Sequence, residues 1–244
     1  MEKIRRTVAT FLQLSLGKRA PFSFFILLGI VISLAAASVF VAITGLLITK
    51  DDLIEFDVLV VYFIDTFRSE ALTPFFEALT FLGDSVVVIG ILAISVLIGL
   101  IRKHWALVFL LIVSIVGSQL FVFFMKQFIA RPRPSIEYRI IEVSGYSFPS
   151  GHAVVAIALY GLLWYIIFRL LSNWFLRIVW TVIMTLLIGG IAISRVYLGV
   201  HYPSDIIAGL SFGVAWVVFL IVAYEIWDRL KKRKIVMLSG AIIK

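Results

Sequence analysis

The sequence predicts an all-α protein, a bundle of six transmembrane helices. Three observations carry that prediction. The first is composition: 62% of the 244 residues are hydrophobic and 15% charged, against roughly 45–50% apolar and ~25% charged in soluble domains. The second is that the apolar residues gather into six long runs. The third is that Lys and Arg flank those runs unevenly.

A bilayer core about 30 Å thick is crossed by about 20 mostly apolar helical residues. The runs are Ala20 to Thr49, about Leu72 to Ile101, Trp105 to Met125, about Ala153 to Phe168, Ile178 to Ser194 (reaching toward Val200), and Ile206 to Tyr224. The fourth is short and must borrow residues from its flanks. Six such runs leave too little polar chain for a soluble helical protein. Helices are required because an open sheet leaves backbone groups unpaired in lipid. The alternating segments of about 10 residues that mark a transmembrane barrel are absent. The first run is too long for a signal-peptide core and is expected to stay as an anchor. The whole chain, residues 1–244, reads as one domain.

Charge sets the expected orientation. Lys3, Arg5, Arg6, Lys18, Arg19, Arg102, Lys103, Arg169, Arg177, Arg229, Lys231, Lys232, Arg233, Lys234 and Lys244 are most of the 22 basic residues, and six spans put them on one side. The positive-inside rule makes that side cytoplasmic, with tails of about 1–20 and 229–244. Lys50, Arg68, Lys126, Arg131, Arg133, Arg139 and Arg195 fall on the external side. A net charge of +8 would suggest nucleic acid in a soluble chain; beside apolar runs it reads as topology, and no nucleic-acid partner is expected. The first external loop is acidic, with Asp51, Asp52, Glu55 and Asp57. Segment Leu53 to Phe67 reads equally as an interfacial helix or a solvated connector. Glu77 and Asp84, near the external end of the second run, could line a lipid entry but read first as interfacial or helix-start residues. The chain has no cysteine, which removes disulfides and thiol nucleophiles.

The informative polar residues stand at the borders of the runs. Lys126 ends the third, and Arg133-Pro134 follows after six residues. Pro149-Ser150-Gly151-His152 opens the fourth. Ser194-Arg195 ends the fifth, His201 follows after five residues, and Asp205 after three more. Six-span topology brings all of them to the external face. Two of the chain's three histidines are among them; His104 lies in a basic cytoplasmic loop.

These residue types suit a phosphate group. Arg offers a planar fork of donors and Lys a point charge. Ser150 could add a hydroxyl, and a helix starting at Gly151 would offer backbone N–H groups to an anion. Imidazole can act as nucleophile or proton donor near neutral pH. Asp205 could bond one nitrogen of His201 and leave the other free to attack, although Pro203 puts a regular helix between them in question. Taken singly, each residue has an ordinary structural reading: Lys126 and Arg195 as snorkelling anchors, Arg131-Pro-Arg-Pro as a rigid loop, Pro149-Ser-Gly as a turn, Asp205 as an N-cap. No metal-ligand cluster is seen, and no cofactor is expected.

At these residues the chain resembles the type 2 phosphatidic acid phosphatase superfamily, whose signature is Lys-x6-Arg-Pro, Pro-Ser-Gly-His and Ser-Arg-x5-His-x3-Asp. Lys126, Arg133, Pro134, Pro149, Ser150, Gly151, His152, Ser194, Arg195, His201 and Asp205 match it with no spacing departure. The resemblance implies a metal-independent lipid phosphate phosphatase in the plasma membrane, similar to bacterial members acting on phosphatidylglycerophosphate, undecaprenyl pyrophosphate or phosphatidic acid. It implies that His201 attacks phosphorus, Asp205 orients it and His152 protonates the leaving oxygen. Lys126, Arg133 and Arg195 would hold the phosphate, with Ser150 and Gly151 assisting. Two other activities compete. Vanadium haloperoxidases share the signature but are soluble. A lipid transporter would place ionisable groups along a path through the spans.

Overall fold

The computed structural model describes residues 20–49 and 53–242, and their side chains within 23–49 and 53–232. The expected N-terminal basic tail, Lys50, Asp51, Asp52 and Lys244 lie outside the described residues. The protein is all-α. Its helices are α1 (Ala20–Thr49), α2 (Leu53–Asp65), α3 (Thr73–Phe81), α4 (Ser85–Ile101), α5 (Trp105–Ile129), α6 (Gly151–Val155), α7 (Leu162–Leu170), α8 (Trp174–Tyr197) and α9 (Pro203–Ile242). A π-helical turn, Ala156–Gly161, joins α6 to α7, and a short 3-10 turn covers Ile136–Tyr138.

Five helical stretches are long and apolar enough to cross a membrane: α1, α5, Gly151–Leu170, α8 and α9. α3 and α4 make a sixth if counted together, bent by 42° at the break between them. The short fourth run gains its length as expected, by starting at Gly151 and ending at Leu170. The last helix ends later than hydropathy predicts, running through the basic segment to Ile242. Lys, Arg and Leu are good helix formers, so the helix outlasts its apolar stretch.

With lipid outside, packing and cross-helix hydrogen bonds replace the hydrophobic effect as the cement between spans. The central cluster gathers Leu110, Leu111, Leu159, Leu162 and Ile191 from α5, the π turn, α7 and α8. At its centre Ser114 Oγ donates to Ala158 O at 2.8 Å, in the π turn, and Trp216 Nε1 donates to Ser114 O at 3.1 Å. Ser33 Oγ donates to Ala215 O at 2.8 Å and ties α1 to α9. Tyr160 Oη donates to Leu82 O at 2.6 Å, which supplies a partner at the α3–α4 break. Backbone groups freed from helix bonding in a span need such partners.

One sequence expectation is corrected by α2. Read as part of an acidic external loop, in a segment that could be an interfacial helix or a solvated connector, Asp57 lies on a helix and is 0% exposed. Its carboxylate accepts from Ser204 N at 3.0 Å and Arg131 Nη2 at 2.6 Å, and it bonds Ser204 Oγ. A charge taken out of water needs partners of this kind. Period alone cannot reveal them, because they come from residues 74 and 147 positions away.

Candidate active site

The polar border residues meet at one end of the bundle. α5 ends on Ala130, in a left-handed conformation at φ 47. The chain then runs as a loop over residues 130–150. Ser147 N donates to Arg131 O at 2.9 Å, Ile140 N to Leu198 O at 3.0 Å, and Arg68 Nη2 to Tyr138 O at 2.8 Å. The Phe148–Pro149 peptide is cis. Pro134 and Pro149 are fully buried and shape this loop from within.

α8 delivers Arg195 and then stops. Gly199 follows at φ +72, and a Cβ there would lie 1.6 Å from Tyr138 O. Only glycine fits that turn. Val200 N and His201 N both return to Arg195 O, at 3.1 and 3.3 Å. Ser194 Oγ donates within its own helix to Ile191 O at 2.7 Å.

Pro203 resolves the doubt about its own position. It opens α9 as the first helical residue, where proline is preferred, so His201 lies just ahead of the helix and Asp205 in its first turn. Asp205 Oδ2 accepts from Tyr202 N at 2.9 Å and meets His201 Nδ1 at 3.3 Å. Oδ1 accepts from Arg131 Nη1 at 2.7 Å. The carboxylate thus reaches back over the helix start in the manner of a capping box. The ordinary N-cap reading moves to Tyr202, whose carbonyl accepts from Ile206 N at 3.3 Å.

His201 is held from both sides. Arg133 Nη1 lies 3.2 Å from its Nε2. A guanidinium can only donate, so Nε2 accepts and Nδ1–H points to Asp205. Burial pushes the imidazole down to about 3, against the pull of Asp205, with the charges of Arg133 and Arg195 acting in the same direction as burial. The ring is therefore neutral at ordinary pH, with its lone pair on the edge opposite Asp205.

Lys126, Arg133, Gly151, His152, Arg195 and His201 line one cavity of about 400 Å³, with Glu142, Val143 and Ser144 completing its wall. Lys126 Nζ donates to Tyr146 O. Arg133 donates to Gly145 O at 3.0 Å, Ser144 O at 3.2 Å and Val200 O at 2.7 Å. Arg195 is 3% exposed and donates from Nη1 to Thr80 Oγ1 at 2.6 Å. Its Nε is the one buried side-chain polar atom with no partner among the described residues. A larger groove of about 620 Å³ lies at the opposite end, among Trp105, Phe109, Tyr224 and Trp227; it is mainly apolar and lacks converging charges.

Ser150 departs from its expected place. It is buried, and its hydroxyl accepts from Ala153 N at 3.4 Å as the N-cap of α6. Its own N–H donates to Asp205 O at 3.1 Å, which fastens this turn to α9. It therefore supports the cavity from behind. Among the described residues no group of three or more His, Asp or Glu forms a metal-ligand set.

Sequence reasoning missed four contributors. Arg131, read as a rigid-loop residue, and Asp57 form the support behind Asp205. Thr80 supports Arg195. Asp84, read as an interfacial or helix-start residue, lies 2.9 Å from His152 Nε2. An acid within an apolar run is a functional candidate by default, and that signal was available for Asp84.

Comparison with known proteins agrees with this geometry. A profile of the PAP2 superfamily matches residues 107–229. Phosphatidylglycerophosphatase B of Bacillus subtilis is 35% identical over 96 residues, 37% of this chain and 44% of that protein. Undecaprenyl-diphosphatase of Sulfolobus acidocaldarius is 37% identical over 87 residues, 36% of this chain and 37% of that protein. The chain thus matches less than half the length of these curated relatives. A crystal structure of a transmembrane PAP2 type phosphatidylglycerolphosphate phosphatase from Bacillus subtilis superposes with a TM-score of 0.70 at 25% identity, covering 78% of this chain and 94% of that one. Fold, motif and profile together make the chain a member of the PAP2 superfamily.

Proposed function

We propose that this protein is a membrane lipid phosphate phosphatase working through a phosphohistidine. The observation that carries the reading is a neutral His201 that lines a cavity walled by Lys126, Arg133 and Arg195, its Nε2 lone pair held by an Arg133 N–H that an incoming phosphate can draw away. A phosphate oxygen entering the cavity takes donors from Arg133 and Arg195, both of which line it. Gly151 and His152 open a helical stretch that continues to Leu170, and its free N–H groups favour an anion there.

His201 Nε2 then attacks phosphorus in line, and the P–O bond to the lipid breaks. Its electrons go to the leaving oxygen, which takes a proton from His152. Lys126, Arg133 and Arg195 balance the charge on the equatorial oxygens. Asp205 keeps Nδ1–H in place and stabilises the imidazolium as the new N–P bond forms. In the second half, His152 takes a proton from water, the water attacks phosphorus, and phosphate leaves with His201 restored. No step calls for a metal.

The substrate class is a phosphomonoester or diphosphate on a lipid anchor, such as phosphatidylglycerophosphate, undecaprenyl pyrophosphate or phosphatidic acid. The names of the curated relatives support the first two of these. The test is phosphate release in detergent with excess EDTA, comparing wild type with His201→Ala on those three lipids. Wild-type release that the variant loses is expected. Release that EDTA abolishes, or that the variant keeps, contradicts the reading.

The cavity faces outward in this proposal, with both termini cytoplasmic, because Arg102, Lys103, Arg169 and Arg177 cluster at the opposite end of the helices. The chain has no cysteine, so a single Ser144→Cys reports sidedness. Labelling of intact cells by an impermeant maleimide is expected, and labelling only after lysis would reverse the orientation.

A further inference from the structure

The break between α3 and α4 lies outside the segment the family profile matches, yet it touches two cavity residues. Thr80 accepts from Arg195 Nη1 at 2.6 Å. Gly83 packs so closely that a Cβ there would lie 2.7 Å from His152 Cδ2 and 2.9 Å from Ile191 Cγ2. Asp84 Oδ1 lies 2.9 Å from His152 Nε2.

The ordinary role for an acid at Asp84 is to cap α4. Asp84 does occupy the N-cap position, with φ −72 and ψ 149, but its side chain makes no cap hydrogen bond. The carboxylate turns to the imidazole instead. Among the described residues it is the one hydrogen-bond partner of that ring. A carboxylate favours an N–H at Nε2 and leaves Nδ1 as the nitrogen free for proton transfer.

We propose that Asp84 is a positioning residue for His152, holding its ring and stabilising its protonated form for proton donation to the leaving oxygen. The proposal rests on the phosphatase reading above. As the P–O bond breaks, its electron pair stays on the leaving oxygen and the Nδ1 proton of the imidazolium moves to it. His152 is left neutral, ready to take a proton from the attacking water. Asp84 exchanges no proton in either step. Its 44% exposed side chain and the 21% exposed ring give water access for that second proton transfer.

The test uses the full-length protein in detergent and reads kcat/KM, which reports steps through the first P–O cleavage. The two substrates are a short-chain phosphatidic acid, with a poor alkoxide leaving group, and p-nitrophenyl phosphate, whose leaving group needs little protonation. Asp84→Asn keeps size and removes charge. We expect it to lose about 10-fold or more on the lipid and less than about 3-fold on the aryl ester, a fraction of the ~100-fold or larger effect of general-acid catalysis itself. Asp84→Glu should recover part of the lipid activity. In a His152→Ala background, Asp84→Asn should change neither substrate by more than about 2-fold, because the two act as a unit.

Equal losses on both substrates, no recovery with Glu, or a full further loss in the His152→Ala background would overturn the proposal. His152→Ala losing both substrates equally would instead remove the general-acid reading, and this inference with it. A His152→Ala loss confined to the lipid, beside an unselective Asp84→Asn, would overturn the Asp84 assignment alone.

Discussion

The two histidines of the site stand on carboxylates of different kinds. Asp205 is 0% exposed, and its two oxygens are held by Arg131, Tyr202 N and His201. Asp84 is 44% exposed, and His152 is the one ion-pair partner described for it. The first pair is built into the helix start of α9 and braced by Asp57 from α2. The second hangs from a bend in a span. In the proposed mechanism the difference follows the demands on each ring. A nucleophile must present one lone pair in one direction, so its tautomer and orientation are fixed by buried partners. A proton donor must trade protons with substrate and water within each turnover, so it stays reachable from solvent.

Two substitutions sharpen that contrast, and the buried pair should show the larger effect. Asp205→Asn can offer the His201 ring an N–H where an acceptor is needed, which favours the wrong tautomer. By the analogous change in hydrolase triads, about 10⁴-fold is expected in kcat. The loss should be similar for lipid and aryl phosphates, because both need the same attack on phosphorus. A loss confined to substrates with poor leaving groups would assign Asp205 to the proton donor and break the comparison. The exposed pair should give the smaller, substrate-selective loss described for Asp84→Asn.

Much of this was legible in the sequence, for physical reasons. Long apolar runs follow from bilayer thickness, so five of them matched spanning helices to within a few residues, apart from the continuation of α9 past Tyr224, while the second matched the bent α3–α4 pair. Lys126, Arg133, Gly151, His152, Arg195 and His201 were readable because each stands at a fixed spacing near the end of a span, and topology gathers span ends. Spacing says nothing about Arg131 and Asp57, whose pairing joins residues 74 apart. The same is true of Asp84 and His152, 68 apart. Ser150 was assigned to the cavity because its hydroxyl is a good anion donor. The same hydroxyl is also a good N-cap, and the helix start at Gly151 takes it.

Three of the four supports, Asp57, Thr80 and Asp84, come from the N-terminal part of the chain, and Arg131 from the loop after α5. The cavity residues lie on the helices from α5 to α9 and the loops between them, but α2, α3 and the α3–α4 break carry Asp57, Thr80 and Asp84. A segment that touches only the backs and edges of the cavity residues can set their geometry without carrying the signature itself.

The central claim is that His201 Nε2 bonds to phosphorus during turnover. The most direct test is the stereochemical course at phosphorus. A lipid thiophosphate made chiral with oxygen isotopes would be hydrolysed by the wild-type protein in isotopically labelled water. Two successive in-line displacements, first by His201 and then by water, predict net retention of configuration. Net inversion would mean a single attack by water and would contradict the phosphohistidine account.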